Sequence, residues 1–331
     1  MPHEHHIRGY DSRESICLHK RCAWGNAVRL TDVSHPLFIP PPPPLVPGAR
    51  VPSPVEDYLF DLQGFLVLRS ALSAEEVAAC NSAVDAIPRD LPRLGWHGHV
   101  QREDHPEHRG ISYQQIYELE PFSKLIDHPN YINYVARFVG GQDTFDYHHG
   151  PFYIDENFFN LRGPGESIPL HGGGHDICKR TQFRYHNGRF ACGQLNVLIA
   201  YTNIGPGSGG TMVIPGSHKS NMSHPAYYEA DKAKEWAETG GGSAEGMPGA
   251  IEVHLNAGDA IIFADATAHG SARRTDAGDR RTSVFRYGAS WGNSRWGYRA
   301  SDELLERLEP LARKIVEPQN FRRAPGAPAR Y

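Results

Sequence analysis

The sequence predicts a mainly β protein, a double-sheet barrel with flanking helices. Helical signals occur at residues 73–88 and 301–316, toward the two ends of the chain. Between them, residues 189–287 contain short strand-like runs separated by turn residues. Strands and helices do not alternate as a parallel α/β sheet would require, so a barrel of short strands is favoured.

The helical signals depend on caps and spacing. Ser73 is followed by Glu76, which is the capping-box pattern of a helix N-terminus. Apolar residues then recur at helical spacing until Pro88 ends the helix. These residues are Val77, Cys80, Val84 and Ile87. Near the other end, Ser301 is a second N-cap, and we expect Pro310 to interrupt the helix that it starts.

Residues 189–202 (RFACGQLNVLIAYT) predict one strand with two unlike faces. Alternation places Cys192, Gln194, Asn196 and Leu198 on one face, and Leu195, Val197, Ile199 and Tyr201 on the other. We expect the first face to line a polar cavity, with Gln194 and Asn196 contacting a cofactor; a solvent-exposed face is the alternative. Other predicted strands lie at 64–69, 211–215, 251–255, 260–264 and 282–287.

The chain divides into an arm and a domain. Residues 1–55 predict a proline-rich N-terminal arm, because five consecutive prolines at 40–44 favour extended polyproline II structure. Residues 56–331 form the predicted domain. Within it, residues 222–250 include a helical patch at 233–238 and the glycine-rich run GGGSAEGMPG, which predicts either a lid over a site or a plain surface insertion.

Composition restricts the class of partner and the compartment. A net charge of -4 argues against nucleic acid or an acidic membrane as partner, because binding phosphates needs a basic excess. No run approaches the roughly 20 apolar residues that span a bilayer, and the N-terminus lacks a secretory signal pattern. Five irregularly spaced cysteines indicate reduced thiols, so we expect a cytoplasmic protein that acts on a small molecule.

Two histidine-bearing segments indicate a non-haem Fe(II) centre. They are IPLHGGGHD at 168–176 and DATAHGSARRTDAGDRR at 265–281. Neutral imidazoles suit Fe(II), and such a centre keeps open positions for a co-substrate and O₂. The candidate residues are His171, His175, Asp176, His269, Ser271, Arg280 and Arg281.

The second segment also provides a carboxylate clamp. His269 is a ligand, Ser271 offers a hydroxyl on the same strand face, and Arg280 follows on the adjoining strand. A guanidinium matches a carboxylate with two parallel hydrogen bonds, so Arg280 suits the far carboxylate of 2-oxoglutarate.

From residue 59 to residue 287, about two-thirds of its length, the chain resembles the phytanoyl-CoA dioxygenase branch of the Fe(II)/2-oxoglutarate-dependent oxygenases. The matching segments are GFLVLRSALSAEEV, GPG…IPLH, GGTMVIPGSHKS and NAGDAIIF…HGS…RRTSVFRY. The resemblance implies a double-stranded β-helix (a cupin-like jelly roll) and C–H functionalisation with Fe(II), 2-oxoglutarate and O₂. It makes His171 and His269 the iron ligands and Arg280 the carboxylate partner, with Ser271 assisting and Arg281 as the alternative. His218 is interpreted as structural.

The first ligand segment departs from the family pattern. The family has His-x-Asp, but position 173 is Gly, and among related oxygenases a Gly or Ala here marks the halogenases. Without the carboxylate a coordination position opens, and chloride can supply the missing negative charge. The alternatives are a hydroxylase in which Asp176 or water completes the iron site, and a non-catalytic jelly-roll binding protein.

The sequence says less about the substrate. Residues 179–189 (KRTQFRYHNGR) are basic and follow the metal motif directly. Lys179, Arg184 and Arg189, with Arg180, could receive the phosphate of a nucleotide-like substrate; a solvated charged loop is the alternative. Nearby aromatic residues could line the pocket, although most are expected in the core. They are Phe152, Tyr153, Phe158, Phe159 and Trp291.

Overall fold

The computed structural model describes residues 43–104, 110–139, 152–176, 178–186, 188–227, 243–289 and 299–317. The arm up to residue 42, the helical patch at 233–238 and Trp291 lie outside the described residues. Within the described part of the chain, no helix is long and apolar enough to cross a membrane.

Helices flank the strands at both ends of the domain. They are α1 (Pro54–Gln63), α2 (Ala74–Asp85), α3 (Glu120–Ser123), α4 (Ile132–Val139), α5 (Asp302–Arg307) and α6 (Pro310–Val316). The predicted capping box of Ser73 and Glu76 starts α2, and Ser301 caps α5. Pro310 begins α6, so the break expected there is confirmed. Helix α1 begins with a second capping box, formed by Ser53, which the sequence analysis missed.

The strands are short, apart from two. They are β1 (Phe65–Leu68), β2 (Trp96–His97), β3 (Val100–Arg102), β4 (Ile111–Gln114), β5 (Phe152–Arg162), β6 (Ile168–His171), β7 (Phe183–His186), β8 (Arg189–Cys192), β9 (Gln194–Ala200), β10 (Thr211–Val213), β11 (Ile251–Val253), β12 (Ala260–Ala264), β13 (His269–Ser271) and β14 (Arg280–Ala289). The long strands β5 and β14 pair along their whole length.

Two sheets form the barrel. Among the described residues, eight strands form one sheet in the order β1-β12-β9-β14-β5-β4-β3-β2, and four form the other in the order β11-β10-β13-β6. Strands β7 and β8 form a separate hairpin. This is the predicted double-stranded β-helix, or jelly roll, with helices on one side.

The large sheet buries both faces. One face packs against the helices and includes Leu195, Val197 and Ile199 of β9. The other face contributes Leu198 to a second apolar cluster shared with the small sheet. The predicted alternation along β9 is therefore confirmed, and the inner face looks toward the space between the sheets.

The prediction of one strand over 189–202 was wrong at Gly193. The strand divides there into β8 and β9, because the backbone of Gly193 lies against the Lys179 carbonyl, where a β-carbon would collide. Cys192 consequently packs in the helix-side core with Leu195, not on the face of Gln194 and Asn196.

Candidate metal centre

Two histidines meet across the small sheet. His171 ends β6 and lies directly opposite His269 of β13 in the strand register. Their ring centroids are 4.1 Å apart. Pairing of the two strands thus brings together residues that are far apart in the sequence, as the predicted ligand pair requires.

Backbone carbonyls fix the tautomer of both rings. Nδ1 of His171 lies 2.9 Å from the Pro169 oxygen, and Nδ1 of His269 lies 2.7 Å from the Thr267 oxygen. A carbonyl only accepts, so each Nδ1 carries a proton, and in the neutral form of each ring the lone pair is on Nε2. Burial, and then the neighbouring His269, holds the pKa of His171 well below its ordinary value. Its imidazole is therefore neutral, which is the form that binds a metal.

Two arginines meet across the large sheet in the same way. Arg280 of β14 lies directly opposite Arg162 of β5, and both residues are buried. Burial lowers the pKa of Arg162 to about 10. Burial, with the charges of Arg162 and Arg274, lowers the pKa of Arg280 as well. Two adjacent buried cations are uncompensated charges, and a bound anion would stabilise them.

The hydrogen bonds of these guanidinium groups go to hydroxyl oxygens. Arg280 donates to Thr282 at 3.4 Å and Thr211 at 3.2 Å, and its Nε has no hydrogen-bond partner within the described ranges. Arg162 donates to Ser271 Oγ at 3.0 Å. An unpartnered, buried donor on a cation is a strong indication that the site binds an anion.

Ser271 is oriented to donate into the same space. Its Oγ accepts from Arg162 and, at 2.7 Å, from the backbone amide of Ile168. Those two bonds use both lone pairs of the hydroxyl, so its proton is available to an incoming acceptor. Ser271 and Arg280 can therefore both donate to one carboxylate.

Histidines and arginines share one cavity between the sheets, with an empty volume of about 450 Å³ including its mouth. It is lined by Phe158, Asn160, Arg162, Ile168, His171, Leu198, Thr211, Phe263, His269, Gly270, Ser271, Arg280, Thr282, Val284 and Arg286. The Phe263 ring lies 4.7 Å from that of His269 and shields the histidine pair on one side. An apolar lining with a few convergent polar groups is typical of a small-molecule site.

Arg281 points elsewhere. Its guanidinium donates to Asn81 at 3.1 Å and to Asp85 at 2.6 Å, both on α2. Of the two adjacent arginines, the structure places Arg280 in the cavity and Arg281 on the helix side.

The segment after His171 is a glycine turn, residues 172–174. Gly172 and Gly173 have φ values of +75° and +121°, which favour glycine. A β-carbon at position 173 would lie 2.7 Å from the His175 ring. One at position 174 would collide with the His218 carbonyl. The chain therefore leaves the β-strand immediately after His171.

The Asp176 carboxylate contacts the His175 ring. Its Oδ1 is 3.3 Å from His175 Nε2. Over the ranges that the structure describes, no group of three His, Cys, Asp or Glu side chains is arranged to hold a metal ion. Asp176 and Gly173 both lie outside the cavity lining.

The amides of β9 contact carboxylates. Gln194 donates to Asp155 at 2.7 Å, and Asn196 donates to Asp265 at 3.0 Å. Asp265 also forms an ion pair with Arg180 at 3.0 Å. Neither amide is among the cavity-lining residues, so the structure places both beside the cavity.

The remaining basic candidates lie on the β7–β8 hairpin or just before it. Arg184 and Arg189 are on its exposed face, and Lys179 is exposed as well. None of the three lines the cavity. Of the aromatic candidates, Phe158 lines the cavity, whereas Phe152 and Phe159 are core residues.

His218 is a packing residue. It is buried, its Nε2 lies 3.0 Å from the Asp61 carbonyl, and its ring packs against Phe183. This agrees with its interpretation as structural.

Arg162 is the site residue that the sequence analysis missed. It directly precedes the GPG segment at 163–165, and the strand that carries it was not predicted. An arginine at the end of a strand, facing a second arginine across the ladder, becomes visible only once β5 and β14 are paired.

The residues present fit Fe(II) and a dicarboxylate. Two neutral imidazoles with defined lone pairs suit a ferrous ion. The arginine pair, with its orphaned Nε, suits the negative end of 2-oxoglutarate. Both sets line the same cavity.

Comparison with known proteins identifies relatives of this chain. The dioxygenase cdmD of Talaromyces verruculosus is 26% identical over 124 residues, 37% of this chain and 35% of cdmD, so that match spans about a third of the relative. HygX of Streptomyces hygroscopicus, crystallised with nickel, 2-oxoglutarate and hygromycin B, has a TM-score of 0.58 at 21% identity. That alignment covers 74% of this chain and 90% of HygX.

A third similar protein, SnoK, is named a carbocyclase, whereas cdmD is named a dioxygenase. SnoK, a non-haem α-ketoglutarate-dependent carbocyclase of nogalamycin biosynthesis, has a TM-score of 0.51 at 17% identity, over 82% of this chain and 94% of SnoK. At such identities the solved structures establish the shared fold. The sequence itself matches the phytanoyl-CoA dioxygenase (PhyH) family over residues 60–282, more than half of its length. This chain therefore belongs to the phytanoyl-CoA dioxygenase family, an enzyme family built on the jelly-roll core.

Proposed function

We propose that this protein is an Fe(II)- and 2-oxoglutarate-dependent enzyme that functionalises a C–H bond of a small molecule, with halide transfer as its favoured reaction. The observation that carries the proposal is the shared cavity: His171 and His269 on the small sheet, and the buried pair Arg162 and Arg280 on the large sheet. Family membership supports the same class of enzyme.

Each residue has a defined task in this proposal. Nε2 of His171 and His269 would hold the iron, while the carbonyls at Nδ1 keep both rings oriented. Arg280 and Ser271 would bind the far carboxylate of 2-oxoglutarate. The apolar lining residues Phe158 and Phe263 would exclude water. When bound, iron with 2-oxoglutarate and O₂ supplies the oxidising power that removes a hydrogen atom from the substrate.

Halide transfer is favoured over hydroxylation because of the glycine turn. Gly173 replaces the family's carboxylate, and Asp176 is paired with His175. Two neutral imidazoles leave a ferrous ion without an anionic protein ligand, so an inorganic anion gains affinity for it. Hydroxylation, with water or Asp176 completing the site, is the second candidate, supported by the similarity to the dioxygenase cdmD.

Chloride should perturb the loaded centre. Fe(II) and 2-oxoglutarate are added to the metal-free protein without oxygen, and the visible metal-to-ligand charge-transfer band is recorded during a chloride titration. We expect a band that shifts saturably with chloride. A band that does not shift with chloride would favour the hydroxylase. The absence of a band would favour the non-catalytic jelly-roll binding protein.

Substitutions at position 173 provide the control. Any side chain there meets a φ of +121° and the His175 ring, and we expect about 1–3 kcal/mol of strain in Gly173→Ala and Gly173→Asp alike. The alanine variant should keep the chloride response and the aspartate variant should lose it, because only aspartate adds a carboxylate. Chlorination retained in Gly173→Asp would overturn the halogenase proposal.

A phosphorylated, nucleotide-like substrate is the finer proposal. It is supported only by the exposed basic residues Arg184 and Arg189 on the hairpin that follows the metal segment. With a phosphorylated substrate in hand, replacing both by alanine should raise its KM about tenfold without changing the affinity for 2-oxoglutarate. Unchanged KM would exclude the hairpin as a phosphate site.

A further inference from the structure

Tyr227 contacts the glycine turn that follows β6. Its hydroxyl donates to the Gly172 carbonyl at 3.0 Å. Its ring lies 5.6 Å from the His175 ring. Gly172 directly follows the predicted ligand His171, so a side chain from the 222–250 insertion reaches the backbone of the metal centre.

The position of Tyr227 is itself fixed by packing. Its ring packs against an apolar cluster that contains Leu170 of β6 and Met212 of β10. Met247, from the far end of the insertion, belongs to the same cluster. Both described ends of the insertion are therefore attached to the small sheet that carries His171 and His269.

Three consecutive glycines allow the turn many backbone conformations, and hydrogen bonds select the one that the structure shows. Gly174 donates its amide to the Ser217 carbonyl at 3.0 Å, and the amide of Asp176 lies 3.2 Å from the Gly173 carbonyl. His175 fills the space that a side chain at 173 would take. In this conformation Oδ1 of Asp176 lies 3.3 Å from Nε2 of His175.

We propose that Tyr227 is a positioning residue of the candidate metal centre: by donating to the Gly172 carbonyl and contacting the His175 ring, it holds the glycine turn in the form in which Asp176 is paired with His175. The three residues Tyr227, Gly172 and His175 are called the clasp below. Without the clasp, the three glycines would allow the Asp176 carboxylate to leave His175 and to compete with chloride for a metal held by His171 and His269.

This inference rests on the proposed function only in its second part. The clasp itself concerns the backbone of the metal-free protein and is measured there. Its consequence for chloride is measured in the loaded centre.

The first test is hydrogen–deuterium exchange of the metal-free protein. Tyr227→Phe keeps the ring and removes the hydroxyl, so exchange of the amides in 172–176 should accelerate about five- to tenfold, the value of one hydrogen bond. Tyr185→Phe, on the exposed hairpin, is the matched control and should leave those amides unchanged. Unchanged exchange in Tyr227→Phe would overturn the clasp, whatever the enzyme catalyses.

The second test uses the anaerobic Fe(II)–2-oxoglutarate band. In Tyr227→Phe the half-saturating chloride concentration should rise at least about fivefold, because Asp176 competes for the position. Adding Asp176→Asn should restore the wild-type value, which a general loss of structure would not do. A chloride response equal to that of wild type in Tyr227→Phe would refute the link between the clasp and the metal. A wild-type band that ignores chloride would refute the halide proposal instead, and the exchange result would still decide the clasp.

Discussion

Replacing Arg280 by methionine should weaken the binding of 2-oxoglutarate about 100-fold or more. Loss of one partner from a buried charge pair costs ~3 kcal/mol or more, and each 1.4 kcal/mol is a factor of ten. Arg280 is suited to such an effect because it is buried, its Nε lacks a hydrogen-bond partner within the described ranges, and Arg162 repels it. The dissociation constant is measured by titrating 2-oxoglutarate into the Ni(II)-loaded protein.

The same substitution should not destabilise the unliganded protein. A methionine of similar length removes an uncompensated buried charge, so the melting temperature without 2-oxoglutarate should stay the same or rise. With saturating 2-oxoglutarate, wild type should gain ~2.7 kcal/mol at 100 times its dissociation constant, whereas the variant should gain almost nothing.

Arg281→Met is the matched control for that experiment. Arg281 is the next residue, but it binds Asn81 and Asp85 on α2. We expect a modest loss of stability and an unchanged affinity for 2-oxoglutarate. If Arg281→Met and not Arg280→Met lost the co-substrate, the assignment of the clamp would be wrong.

Replacing His269 or His171 by alanine should abolish stoichiometric binding of Fe(II) and, with it, the turnover of 2-oxoglutarate. Loss of a group that merely supports a metal ligand already weakens metal binding about 10- to 100-fold, and loss of a ligand should cost at least that much. Equilibrium dialysis with Fe(II) under nitrogen gives the affinity, and succinate formation gives the turnover.

His254→Gln controls for the general effect of losing a histidine. His254 directly follows β11 and is exposed. Its Nε2 lies 3.2 Å from Oε2 of Glu252. Metal binding and succinate formation should be those of wild type. Circular dichroism of each alanine variant checks that the sheets are intact. A variant that still bound Fe(II) tightly would exclude that histidine as an iron ligand.

The sequence predicted the parts of the site that local motifs carry. His269, Ser271 and Arg280 were named from their motif and His171 from the family resemblance, and the structure brings all four to one cavity. Arg162 was not found, because its strand β5 is interrupted by the consecutive polar residues Asp155, Glu156 and Asn157, which are uncommon in strands and obscure the pattern.

Long-range contacts explain the other differences. The division of the strand at Gly193 depends on the Lys179 carbonyl, which approaches from another part of the chain. The alternation along β9 correctly placed Gln194 and Asn196 on the inner side, but their partners are distant in sequence: Asp155 lies in β5, and Asp265 lies in the turn after β12. Periodicity gives the face of a residue and does not give the identity of its neighbour.

The pairing of the two histidines and of the two arginines across strand ladders also determines when the site can exist during folding. His171 and His269 are 98 positions apart (269 − 171), and Arg162 and Arg280 are 118 apart (280 − 162). Contacts at such separations close large loops and therefore form late. A nascent or partly folded chain would therefore lack both pairs, and iron bound in the way that we propose would not template early folding. If the cavity binds iron as we propose, that capacity arises only with the completed barrel, and oxidation would begin only after the surrounding side chains are in place.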